Sequence, residues 1–225
     1  MRRSVTRWMR AFNCQSRDGR ISIVTMARPD AELPWDDPFV EGALDDGCVV
    51  ILPTETVAGF GVRASDARAI AKLIAIKGRT PDKPFAVCVR GLEQAETLGL
   101  FDDTARQLAR DNWPGPLTLI VPARRNKGLR MECLGSHEGR QTVALRCPDV
   151  FWREAFCATP LALTSANRTG EPAFNDTRAA WEAFPDLVHV PQCDPGSGSP
   201  STIVRVMGGD VEYLRMGAAP LKGTP

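Results

Sequence analysis

Apolar positions along this chain recur in helical and strand-like rhythms, and their succession predicts an α/β fold. From Asp36 to Asp46, Phe39, Val40, Ala43 and Leu44 share one side of a helix that Gly47 ends. The apolar run Cys48 to Leu52, stopped by Pro53, suits a buried strand. Ser65 and Asp66 open a helix whose stripe is Ile70, Leu73 and Ile74, closed by Gly78 and Pro81. Phe85 to Val89 reads as a strand. Asp102 or Asp103 starts a further helix, with Ala105, Leu108 and Ala109 apolar, ended by Trp113-Pro114-Gly115-Pro116. Leu117 to Val121 is a strand, and Arg124 to Gln141, charged and without a period, is the best candidate for a mobile loop. Thr142 to Leu145 forms a strand that delivers Arg146. Asp149 to Cys157 is helical, Leu161 to Leu163 is a strand running into Ser165, and Asp176 to Phe184 is helical. Short strands follow at 187–190, 202–206 and 211–214, with a Gly/Ser/Pro loop over 194–200. No linker interrupts this succession after residue 36, which favours one domain built on a mixed sheet.

Composition narrows the class. Hydrophobic residues at 43% and charged residues at 24% are ordinary for a soluble globular protein. A net charge of +1 means that any nucleic-acid affinity needs a local patch. No apolar run approaches the roughly 20 residues that span a bilayer. Seven cysteines, odd in number and without a CxxC pair, argue against a disulfide framework and for a reducing compartment. Cys133 and His137 lie four apart, but no His/Cys cluster has zinc-site spacing. The start is unusual: Arg2, Arg3, Arg7, Arg10, Arg17 and Arg20 face a single acid, Asp18. It reads as a flexible arm, or as sequence preceding a true start at Met26; a transit peptide and a nucleic-acid arm are the alternatives. Pro29 and Pro34 make residues 27–35 an extended lead-in.

Two clusters carry candidate chemistry. Lys77, Arg79 and Lys83 bring three cations into seven positions, punctuated by Gly78, Pro81 and Pro84. A lysine there also complements a helix C-terminus, but that does not explain Arg79 and Lys83 in a proline-restricted loop. Arginine offers phosphate a bidentate fork and lysine a point charge. Ser165 and Asn167 follow a strand and precede Gly170-Glu171-Pro172, a composition that also suits a plain turn. Thr54, Glu55 and Thr56 follow Pro53 and precede Gly59 and Gly61, glycines that permit backbone to approach a ligand closely. Fixed cations with small polar donors point to a nucleotide site. Neither GxxxxGK[ST] nor GxGxxG is present, and two histidines leave no recognisable Ser/His/Asp set.

Read together, these pieces resemble the YrdC-like family of threonylcarbamoyl-adenylate synthases, the single-domain TsaC type. The matches run in family order over about residues 36–218. They are Pro53-Thr54-Glu55-Thr56-Val57 with Gly59-Phe60-Gly61; Lys77-Gly78-Arg79 with Lys83-Pro84; Trp113 to Leu119; Val143 to Arg146; Pro160-Leu161 through Ser165-Ala166-Asn167 to Gly170-Glu171-Pro172; Ser201 to Val204; and Leu214-Arg215 with Gly217. The resemblance implies a twisted mixed sheet flanked by helices around a large concave basic cavity. It implies ATP-dependent formation of L-threonylcarbamoyl-AMP from L-threonine and bicarbonate, normally with Mg²⁺, and release of pyrophosphate. The product would supply threonylcarbamoyladenosine to tRNA through a separate transferase complex.

By position the resemblance makes Lys77 and Arg79 catalytic, and gives ATP Lys77, Arg79, Lys83, Thr118, Ser165, Asn167 and Arg215. Thr54, Thr56, Arg146 and Ser201 would contact threonine or the adenylate, and no protein metal site is implied. It divides the chain into a flexible extension and lead-in (1–35), a YrdC-like domain (36–218) and a C-terminal tail (219–225). A cytoplasmic address is expected, or a mitochondrial one if the arginine-rich start is a transit peptide. Ala58 stands where the family commonly has an aromatic, which should alter the pocket wall, and Val150-Phe151 replaces the usual His-Pro. Two other readings use the same residues: a non-catalytic module binding RNA or nucleotide, and a related carbamoyl adenylation.

Overall fold

A computed structural model describes residues 11–15, 21–25, 38–80, 83–125, 127–191, 195–217 and 221–223. All six N-terminal arginines, the 27–35 lead-in and Pro81 lie outside the described residues.

Strands β1 (Ala11–Gln15) and β2 (Ile21–Thr25) form a separate antiparallel pair. Then follow α1 (Pro38–Asp45), β3 (Val50–Leu52), β4 (Gly59–Arg63), α2 (Ala67–Lys77), β5 (Ala86–Cys88), α3 (Leu92–Leu98), α4 (Asp103–Asn112) and β6 (Leu117–Pro122). The second half holds β7 (Leu134–His137), β8 (Arg140–Arg146), α5 (Arg153–Phe156), β9 (Leu161–Ser165), α6 (Thr177–Ala183), β10 (Val188–His189), β11 (Thr202–Met207) and β12 (Asp210–Arg215). The main sheet is mixed, in the order β10-β3-β4-β9-β5-β8-β6-β11-β12, with β7 added beside β8.

Strand alternation gives this sheet two different faces. On one, Ile51, Phe60, Val62, Val87, Leu119, Leu145 and Val204 pack under α2, α3, α4 and α6 in a single core. On the other, Val50, Leu52, Leu161 and Leu163 meet Val40 and Leu44 of α1 and Trp152 and Phe156 at α5. That second layer covers the β10-β3-β4-β9 side. Farther across, the same face presents Ala86, Ala144, Arg146, Thr118, Ile120 and Ile203 to a cavity. The cavity exists because the helices on this face are short and sit to one side.

The helix signals act as expected. The Asp66 carboxylate accepts from the Arg68 and Ala69 N–H groups, and Gly78 closes α2 in the left-handed conformation. Asp102 caps α4 through the Ala105 N–H, and its other oxygen accepts from Gly209 N in the β11–β12 turn. Arg63, 6% exposed, fastens the two helices of the partial layer. Its Nε donates to Asp45 Oδ1 at 2.7 Å and its Nη1 to the Phe156 carbonyl at 2.7 Å. Arg63→Ala strands that buried carbonyl and should cost about 2–4 kcal/mol in urea unfolding. A loss below about 1 kcal/mol would contradict the clamp.

Three expectations need correction. The 124–141 stretch is not a plain loop: it carries a 3₁₀ turn (Met131–Cys133) and the β7–β8 hairpin. A Cβ at Gly135 would lie 2.8 Å from Thr142 Oγ1 and 3.3 Å from Pro84 Cγ, so the hairpin packs closely there. The Gly59–Arg63 segment is strand β4, whose signal Gly59 and Gly61 weaken in the sequence. A Cβ at Gly61 would lie 2.6 Å from Leu52 Cδ1, so this glycine makes room for core packing rather than for ligand. Cys48 is disulfide-bonded, against the expectation of reduced cysteines, since sequence spacing does not show which sulfurs meet in space.

Candidate active site

α2 and β9 bring the two predicted clusters together. Lys77, the last residue of α2, is 5% exposed. Its Nζ donates to Asn167 Oδ1 at 2.7 Å and to the Ser165 carbonyl at 2.9 Å, with Ser165 Oγ at 3.4 Å. Ser165 Oγ donates to Asn167 Oδ1 at 2.6 Å, and Thr169 N closes the loop on the Lys77 carbonyl at 2.8 Å. Burial, then the neighbouring Arg79 charge, pulls the Lys77 ammonium down to about 8, while Glu171 opposes the shift. Arg79 stacks its guanidinium 3.9 Å from the Phe85 ring centroid.

Arg79 and Ser165 line a cavity of about 350 Å³; Lys77 and Asn167 support that wall through Ser165. Lys83 is exposed and does not line it. Thr54, Thr56, Thr118, Arg146, Ser201 and Arg215 line the same cavity. Thr54 Oγ1 accepts from the Thr56 and Val57 N–H groups, a tight hydroxyl turn whose entry is fixed by Trp152 Nε1 on the Pro53 carbonyl at 2.7 Å. Thr118 Oγ1 and Ser201 Oγ are 2.9 Å apart. Arg215 donates to the Ser201 carbonyl and Oγ at 3.0 and 3.2 Å. The register of β11 and β12 skips from Ile203↔Arg215 to Val204↔Tyr213. This bulge leaves Leu214 over, and both Leu214 and Arg215 reach the cavity. Burial and the Arg146 charge lower the Arg215 pKa, so two guanidiniums face one hollow.

Sequence reasoning missed the floor and the backing of this site. Ala86, Ala144 and Ile120 occupy adjacent positions on β5, β8 and β6. Alternation from Thr118 and Arg146 points to Ile120 and Ala144, whereas Ala86 is placed by the pairing of β5 with β8. Gly196 supports the Thr54 turn from behind: Ser197 N donates to the Glu55 carbonyl and Gly198 N to the Thr56 carbonyl. Ala58 is fully buried in the core and does not line the cavity. Buried thiols do not serve as nucleophiles here. Burial pushes Cys88 and Cys133 up to about 12 and Cys147 to about 11.

Residues 42–217 match the Sua5/YciO/YrdC family model, described as "Telomere recombination". The chain belongs to the Sua5/YciO/YrdC family. It is 31% identical over 197 residues to the threonylcarbamoyl-AMP synthase of Pyrococcus abyssi, covering 84% of this chain and 56% of that protein. It is 36% identical over 174 residues to the threonylcarbamoyl-AMP synthase of Chromobacterium violaceum, covering 75% of this chain and 87% of that one. The crystal structure of P. abyssi Sua5 complexed with L-threonine superposes with a TM-score of 0.71 at 29% identity, over 79% of this chain and 53% of that one. The chain thus spans about half the length of the P. abyssi relative. The mixed sheet flanked by helices is the fold shared with P. abyssi Sua5.

Proposed function

We propose that this chain synthesises L-threonylcarbamoyl-AMP from L-threonine, bicarbonate and ATP, releasing pyrophosphate, and that the product feeds tRNA threonylcarbamoyladenosine formation by a separate transferase complex. The observation that carries this reading is one cavity lined by Arg79 and Ser165, with Lys77 and Asn167 behind them, and also by the guanidiniums of Arg146 and Arg215. A triphosphate suits the first set and the carboxylate of an amino acid the second. The relatives' names and the threonine complex of P. abyssi Sua5 support the assignment.

The chemistry needs no covalent enzyme intermediate. The neutral threonine amine adds to bicarbonate with loss of water, or to CO₂ with loss of a proton from nitrogen, to give a carbamate. A carbamate oxygen then attacks the α-phosphorus of ATP, and the bond to pyrophosphate breaks. Charge builds on the leaving phosphates, where Arg79 lies in the wall and Lys77 behind it. Catalysis is then mostly alignment and charge neutralisation, and the apolar floor keeps water from the labile carbamate. The lining offers cations and hydroxyls rather than carboxylates, and among the described residues no three His, Cys, Asp or Glu form a metal cluster. Mg²⁺ would therefore arrive on the nucleotide phosphates, and no step is routed through it. No helix among the described residues is long and apolar enough to cross a membrane, and the cytoplasm is the proposed address.

The decisive assay supplies ATP, Mg²⁺, bicarbonate and single amino acids, and follows pyrophosphate. Release that depends on both threonine and bicarbonate is expected. Turnover that ignores threonine, or that requires carbamoyl phosphate, would overturn the reading. A pH experiment isolates Lys77. Phosphate binds its protonated form, which is present below about 8 in the free protein. Affinity for a non-hydrolysable ATP analogue, measured without threonine, should fall as pH rises through 8. In Lys77→Arg that fall should vanish up to pH ~10, because arginine stays charged. A flat wild-type profile over this range would remove Lys77 from phosphate binding.

A further inference from the structure

Glu55 lies outside the set of residues that line the cavity, yet its carboxylate is built into the wall. Its Oε1 accepts from Arg146 Nη2 at 2.9 Å, and the same nitrogen donates to Thr56 Oγ1 at 2.9 Å. Both side chains are largely buried, at 19% and 9% exposure for Glu55 and Arg146. The Glu55 backbone is fixed as well, since its carbonyl accepts from Ser197 N. Arg146 leaves the end of β8 on the cavity face, opposite Thr118 of β6. A free arginine side chain of this length samples many rotamers. Here its Nη2 is held from one side, while its Nε is buried with no hydrogen-bond partner among the described residues.

We propose that Glu55 is a positioning residue: it holds Arg146 by Nη2 so that the remaining Nη1 N–H groups meet the substrate carboxylate. This inference rests on the threonine reading above and adds the residue that sets its geometry. Charge points the same way. Arg146 and Arg215 face one hollow, and among the described residues Glu55 is the carboxylate in an ion pair with either of them. It cancels one of the two positive charges. The net single charge matches one carboxylate, as on an amino acid, and leaves the phosphates to Arg79 and Lys77.

The test is steady-state kinetics of pyrophosphate release in Glu55→Ala and Glu55→Gln, with threonine and ATP varied separately. Glu55→Ala should raise the threonine KM at least ~10-fold and leave the ATP KM within about twofold. Glu55→Gln keeps a carbonyl acceptor for Nη2 and should recover most of that loss. The inference is overturned by a threonine KM that stays within threefold of wild type. It is equally overturned by threonine and ATP KM values rising together, or by no recovery in Glu55→Gln when its thermal midpoint equals wild type. Failure of the parent reading looks different, because wild-type protein would then show no threonine-dependent release.

Discussion

Lys77→Ala should lower kcat/KM for pyrophosphate release by roughly 10²–10³, the range seen when one preorganised donor to developing charge is removed. Two losses combine in this variant. A fixed cation disappears from beside the phosphates, and the Ser165 carbonyl and Asn167 Oδ1 lose the ammonium that draws them together. Ser165 then loses its defined place in the wall. Arg79→Ala keeps that network and should cost at least ~10-fold, through charge alone. The measurement is kcat/KM with ATP varied and threonine saturating. Values within threefold of wild type in both variants would remove the phosphate end from the account.

Gly196→Ala should be nearly as damaging without touching a cavity side chain. A Cβ at this position would lie 2.4 Å from the Thr56 carbonyl oxygen and 2.9 Å from that of Thr54. Those are backbone atoms, so the segment must retreat and release the turn that it supports. Thr56 Oγ1 is also a partner of Arg146, and the shift therefore spreads to the guanidinium. Misplacing such groups by about 1 Å costs on the order of 100-fold in turnover. The expected result is a fall of that size in kcat/KM, with a thermal midpoint lowered by only a few degrees. Full activity would show that the 195–200 segment does not set the position of Thr54 and Thr56.

Much of this arrangement was legible in the residues. Strong caps and stripes gave α2, α4 and α6 close to their observed bounds, because Asp66, Asp102 and Asp176 cap and Ile70, Leu73, Leu108 and Ala180 are buried. The meeting of Lys77 with Ser165 and Asn167, ninety positions apart, was legible through family order and not through any local rule. The hidden parts share a cause: tertiary contact decided them. β4 needs its glycines because Leu52 and Leu163 crowd it. The β7–β8 hairpin forms in a charged stretch because the Arg140–Val143 part of β8 offers an edge on the side opposite β6, beyond the reach of β5. Lys83 fits the motif in sequence, but the turn before β5 leaves it exposed. Glu55 belongs to the Pro53–Val57 motif, but its role is not legible there, since its partner Arg146 follows it by 91 positions.

On the proposed reading, one cavity takes the triphosphate beside Arg79, with Lys77 behind it, and the amino acid beside Arg146. A crystal structure of the protein with a non-hydrolysable ATP analogue and L-threonine tests it most directly. Phosphate oxygens are expected within hydrogen-bonding distance of Arg79 and Ser165, and the threonine carboxylate on Arg146. Nucleotide bound outside this cavity, or phosphates on Arg146 and Arg215 with none at Arg79, would contradict it.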